Sequence, residues 1–127
     1  MRGESLTGFW KWWCDVEKAT TAILESALQK LTDTGWCQFT AATGLGNQEV
    51  GIWSDPSRIQ GYCVFGAVLS CVPRFSTYAA QESLDILILS CPLPSSHNSV
   101  ALMNDDPRMT FPLVEQWFAN AIAISRG

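Results

Sequence analysis

The chain has 127 residues, 47% of them hydrophobic and 16% charged, with a formal net charge of −4. That length fits one domain, and the apolar fraction belongs to a globular chain rather than a disordered one. Eight basic residues against twelve acidic ones leave no electrostatic footprint for nucleic acid or for an anionic membrane surface.

From Phe9 to Leu31 apolar residues, with Thr20 counted as semi-apolar, recur at 9, 12, 13, 16, 19, 20, 23, 24, 27, 28 and 31. This spacing predicts one amphipathic helix with a single buried stripe. Unbroken, it would be about 35 Å long; a break near Cys14 or Asp15 is the alternative. Ser5 or Thr7 is the expected cap, and Gly35 lies just past the end. Glu17, Lys18, Thr21, Glu25 and Gln29 fall on the opposite face. Residues 1–19 read as a Trp-rich N-terminal extension continuous with this helix, and 20–127 as a single globular helical domain.

Trp36-Cys37-Gln38-Phe39-Thr40 alternates and is rich in strand formers, which predicts a short strand. Gly44, Gly46, Asn47, Gly51, Asp55 and Pro56 then punctuate a long loop, suited to a functional or partner-facing role. Tyr62 to Val72 is apolar on all sides and stops at Pro73. With Gly66 and Ala67 inside, it is expected to be a buried helix with a closely packed flat side, a strand being the alternative. Ser76 or Thr77 caps a second helix, from Tyr78 to about Leu89, with Ala79, Ala80, Leu84, Leu87 and Ile88 inward. Its end, Leu84 to Leu89, is also compatible with a strand. Residues 91–99 form a Pro- and Ser-rich loop. Thr110 caps the final helix, Pro112 is tolerated in its first turn, and Val114, Trp117, Phe118, Ala121 and Ile122 are buried. The expected fold is therefore mainly α: a compact single-domain bundle of about four helices with room for one or two short strands.

Two segments carry a resemblance. Tyr62-Cys63-Val64-Phe65-Gly66-Ala67-Val68 resembles an aromatic-Cys-x-x-Gly-Ala-aliphatic motif, and Asn104-Asp105-Asp106-Pro107-Arg108-Met109-Thr110 an Asn-Asp-x-Pro-x-x-Thr motif before a helix. Together with Ile23-Leu24-Glu25 leading to Gly35-Trp36, they are similar to a small family of bacterial and phage domains of unknown function. That family is marked by Trp-Cys and Trp-Asn-Asp motifs. The likeness spans about residues 20–124 and leaves the Trp-rich start outside. Tyr62 and Met103 stand where the family commonly has Trp, and Met109 where it commonly has Arg, with Arg108 adjacent. The resemblance implies fold and origin, not an activity.

Candidate chemistry is sparse. Five cysteines (Cys14, Cys37, Cys63, Cys71, Cys91) form no C-x-x-C pair, so free thiols in a reducing cytosol are expected. Met1-Arg2-Gly3-Glu4-Ser5 lacks the apolar core of a signal peptide, and the apolar run 62–72 is far shorter than the roughly 20 residues that span a bilayer. Cys63, at a helix start, is a candidate nucleophile through dipole lowering of its pKa. The sole histidine, His97, and then Asn104 follow in the order of papain-like thiol hydrolases. Asn104-Asp105-Asp106-Pro107 builds a turn before the last helix; Asn104 and Asp105 would become ligand or acid–base groups only if they face a cleft. Cys91 and His97 lack a second close pair, so no metal site is expected. Gly44-Leu45-Gly46-Asn47 lacks the Lys of a phosphate loop, and no cofactor is expected.

Six tryptophans are the sharpest feature. Helical phase puts Phe9, Trp12 and Trp13 on the buried stripe and Trp10 about 90° from its centre. Trp36 reads as core at a strand start. Trp10 and Trp53 are thus the candidate contacts, since Trp is enriched among binding hot spots, with Asn104, Asp105 and Arg108 beside them. The leading expectation is a non-enzymatic binding protein, encoded by a phage or mobile element and cytoplasmic in the host. It would dock on a host or defence protein, as an inhibitor does, or on a copy of itself, with neither nucleic acid nor membrane as partner. The alternative is a thiol-dependent hydrolase or transferase using Cys63 with His97 and Asn104 or Asp105.

Overall fold

A computed structural model describes residues 4–72, 77–94 and 98–127, with side chains described from Ala19 onward. Five α-helices and one two-stranded sheet make a mainly helical single domain among these residues. Helix α1 runs unbroken from Glu4 to Thr34, about 46 Å at the usual rise. Ser5 and Thr7 therefore lie inside the helix rather than capping it, and no break occurs at Cys14 or Asp15. Thr20, Ile23, Leu24, Ala27 and Leu31 are buried, the spacing that the apolar stripe predicts. The helix stops where expected: Gly35 adopts a φ of 132°, open to glycine alone, and its N–H donates to the Leu31 carbonyl at 3.0 Å.

The expected strand at 36–40 is displaced. Trp36 makes a single parallel bridge to Tyr62, and Phe39 then turns the chain with a φ of 72°. The sheet itself pairs β1 (Ala42–Thr43) with β2 (Gly61–Tyr62), antiparallel, in the register Ala42 to Tyr62 and Thr43 to Gly61. Tyr62 thus lies between Trp36 and Ala42, and the 36–60 segment is folded around it.

Helix α2 spans Val64–Ser70, shorter than the apolar run 62–72 because Tyr62 pairs in the sheet, Cys63 caps the helix, and Cys71 and Val72 lie past its end. Its flat side is real: a Cβ at Gly66 would overlap the Ala41 carbonyl. Helix α3 spans Thr77–Ser90, so 84–89 is helical. Thr77 is its first residue, while Ser76 lies outside the described residues. Ala79, Ser83, Ile86, Leu87 and Ser90 are buried; Ala80, Leu84 and Ile88 are only partly so. The two buried hydroxyls bond back to the Ala79 and Ile86 carbonyls, which removes the cost of burying them.

A short helix that the sequence did not suggest, α4 (Val100–Asn104), precedes the expected turn and shares only Asn104 with it. Helix α5 (Phe111–Ser125) carries Pro112 in its first turn and buries Val114, Trp117, Phe118 and Ala121, with Ile122 partly covered. Thr110 is at the cap position, but its side chain makes no capping bond. Helices α1, α3 and α5 pack on one another, with α2 against α1 and α4. The Trp117 indole is fully buried and donates to the Leu87 carbonyl at 2.7 Å, tying α5 to α3. Among the described residues no helix is long and apolar enough to cross a membrane.

Candidate functional site

The site grows from Asn104, the last residue of α4, which is 0% exposed. An Asn side chain has two donors and two acceptor positions, and all four are filled. Its Oδ1 accepts the Trp36 indole N–H at 2.8 Å and the Val64 N–H at 2.9 Å. Its Nδ2 donates to the Cys37 carbonyl at 3.1 Å and to Asp105 Oδ1 at 3.0 Å. One side chain therefore joins the end of α1, the start of α2 and the end of α4. Gln38 adds a second tie, its Nε2 donating to the Asn104 and Asp106 carbonyls at 3.0 and 3.1 Å.

Asp105 passes this anchoring outward. Its Oδ1 also accepts the Phe39 N–H at 2.7 Å. Phe39 is 76% exposed, a bulky residue held at a positive φ that costs free energy and calls for an explanation. Its ring and Thr40 stand between two clefts. One, of about 200 Å³, is lined by Phe39, Cys63, Phe65, Ala101 and Asp105. The other, of about 580 Å³, is lined by Trp36, Gln38, Phe39, Thr43, Asn47 and Glu49.

Asp106 and Arg108 form a separate tie. The Arg108 guanidinium meets the Asp106 carboxylate at 2.8 Å and the Pro94 carbonyl at 2.9 Å. The hydrogen bond and charge of Asp106 push the Arg108 pKa up. Asp106 Oδ1 also accepts the Arg108 N–H at 2.8 Å, so this aspartate builds the expected turn while its neighbour reaches across to Phe39.

Cys63 is the N-cap of α2, its sulfur accepting the Gly66 N–H at 3.2 Å. The expected lowering of its pKa is reversed. Burial pushes the thiol up to about 11, outweighing the Gly66 hydrogen bond, and the nearby Cys37 and Asp105 add to the rise. A two-turn helix offers a weak dipole, whereas 5% exposure removes the water that a thiolate needs. Burial also raises Cys37 and Cys91. Cys37, Cys63, Cys71 and Cys91 are free thiols. His97 and the side chain of Cys14 lie outside the described residues.

The structure thus brings Asp105 and Cys63 together in the lining of the smaller cleft, keeps Asn104 buried and bonded to Asp105, and puts Arg108 on the Asp106 side. Trp53 is elsewhere on the 36–60 segment, 73% exposed on a turn closed by the Ser54 N–H and the Gly51 carbonyl. The side chains of Trp10, Trp12 and Trp13 lie outside the described ones. Sequence reasoning missed Gln38, Phe39 and Phe65. Nothing near Phe39 signals a left-handed turn, because Gln38 and Thr40 are neither Gly nor Asn.

Among the described residues, no group of three or more His, Cys, Asp or Glu could hold a metal ion. Neither curated proteins nor solved structures yield a match to the chain. A family model does match, over residues 16–124, which takes in most of α1 and every later element but the last residue of α5. The chain therefore belongs to a family of unknown function, DUF6197.

Proposed function

We propose that this protein is a non-enzymatic binding module that docks on another protein through the 36–60 segment, with Phe39 and Trp53 as its apolar contacts. The carrying observation is Phe39: an exposed aromatic ring on a backbone of positive φ, tied through Asp105 to the buried Asn104. Strain concentrates at functional positions because surrounding structure must over-determine it. An aromatic residue that is ordered before binding loses less entropy on docking. Trp53 contributes a second exposed aromatic surface, of the residue type most enriched at hot spots.

Asn104, Asp105 and Arg108 support this face in different ways. Asn104 has its hydrogen-bonding capacity filled within the chain and acts as the anchor, whereas Asp105 is at the surface of the cleft. Arg108 holds the 91–94 loop beside them. Trp10 is a further contact in this proposal. The bacterial and phage setting comes from the motif resemblance. With it the proposal extends to an accessory protein that inhibits a host or defence protein in the host cytosol, a second copy of the chain being the other partner.

A photo-crosslinking residue placed at 39, at 53 and, as a control, at the exposed Gln81 of α3 tests the reading. The expected result is one shared polypeptide captured from 39 and 53 and not from 81. Capture of the same polypeptides from all three positions, or nothing from 39, overturns it.

A further inference from the structure

The smaller cleft beside Phe39 has a chemistry of its own. Its volume of about 200 Å³ is below the roughly 300–1,000 Å³ of sites for drug-sized ligands and is on the scale of one side chain. Two phenyl rings, Phe39 and Phe65, line it together with the Asp105 carboxylate. Oδ1 of that carboxylate is saturated by the Phe39 N–H and the Asn104 amide. Oδ2 makes no hydrogen bond among the described residues. The carboxylate that lines this aromatic cleft is therefore held in place through one oxygen, while the other has room for a donor. Burial is the main cause of the raised pKa of Cys37 and of Cys63, and the charge of the nearby Asp105 adds to both.

We infer that this cleft binds an arginine side chain of the protein partner, the guanidinium donating to Asp105 Oδ2 with its faces against Phe39 and Phe65. A guanidinium is flat, weakly hydrated and stacks on aromatic rings, whereas an ammonium is compact and strongly hydrated. Stripping water from a strongly hydrated ammonium against aromatic walls costs more than stripping it from a guanidinium, whose remaining donors lie in its plane and can point out to solvent. A net charge of −4 favours approach of a basic segment. This inference rests on the docking reading of the 36–60 segment and names the chemistry at one point of that interface.

The test is a titration of the full-length protein with N-acetylargininamide, N-acetyllysinamide and the neutral isostere N-acetylcitrullinamide, followed by the ring resonances of Phe39 and Phe65. Asp105→Asn is the informative variant, because an amide oxygen can still accept from Phe39 and Asn104 while the charge is lost. The expected result is millimolar binding of the arginine probe, weakened about tenfold by Asp105→Asn and for citrulline. Raised salt should weaken it further. Equal affinity for citrulline, no effect of Asp105→Asn, tighter binding of the lysine probe, or no shift of either ring overturns the inference. Crosslinking from position 39 is scored separately, so failure of this site and failure of the docking reading are distinguishable.

Discussion

Replacing Asn104 by Ala tests the anchor on which the proposed face depends. The variant deletes the acceptor for the Trp36 indole and the Val64 N–H and the donor to the Cys37 carbonyl. The bond to Val64 is a buried one, so that N–H carries the full penalty of an unsatisfied group, about 1–3 kcal/mol. The indole and the carbonyl are partly buried and recover some hydration, so each costs less. The sum is about 3–5 kcal/mol, against a total of about 6–19 kcal/mol for a chain of this length, and the variant stays folded at 25 °C. In urea, with a slope of about 1–3 kcal/mol/M, the midpoint should fall by about 2 M with the slope unchanged. Amide exchange gives the local readout: Val64 and Phe39 lose protection more than Leu24 or Leu87 in the core. A midpoint within about 0.5 M of wild type, with Val64 still protected, would show that the network does not hold these elements together.

Gly66→Ala places a methyl into the Ala41 carbonyl and should cost about 2–3 kcal/mol in the same urea assay. Cys63 gives a pH signature, since its thiol is raised from 9.0 to about 11 in the folded chain. The folded state holds that proton longer than the unfolded one, so stability is intact below pH 9 and falls as pH rises towards 11. The loss is about 2 kcal/mol by pH 11. Cys63→Ser keeps a capping acceptor for Gly66 and should flatten that alkaline slope relative to wild type. Arg108→Ala removes an ion pair whose arginine side is 56% exposed, so the midpoint of thermal unfolding should stay close to that of wild type, because solvent screens such a pair.

The elements that the sequence made legible are those whose signal is local and periodic. The stripe of α1, its stop at Gly35 and the flat side at Gly66 follow from helical phase and from what glycine alone permits. The turn at 36–41 was hidden because Phe39 adopts a positive φ for tertiary reasons: its N–H is claimed by Asp105, 66 residues away. Alternation in Trp36-Cys37-Gln38-Phe39-Thr40 reads as a strand until that bond is known. Helix α4, at five residues, is too short to show a period. Asn104 and Asp105 were singled out for turn chemistry, but burial decides what each does, one filled on all four positions and the other half-turned to a cleft. Burial likewise reverses the pKa of Cys63, a term that no spacing of residues reveals.

The central claim, that Phe39 is held in a strained conformation for docking, is tested most directly by Phe39→Gly with two readouts on the same protein. Glycine relieves a positive φ that costs about 1–2 kcal/mol, offset by about 0.5–1 kcal/mol of added chain entropy in the unfolded state. With the ring 76% exposed, little packing is lost. The account expects an unfolding midpoint at or above that of wild type, together with loss of the polypeptide that crosslinks from position 53. A lowered midpoint with that crosslink intact would mean that Phe39 serves the fold and not a partner.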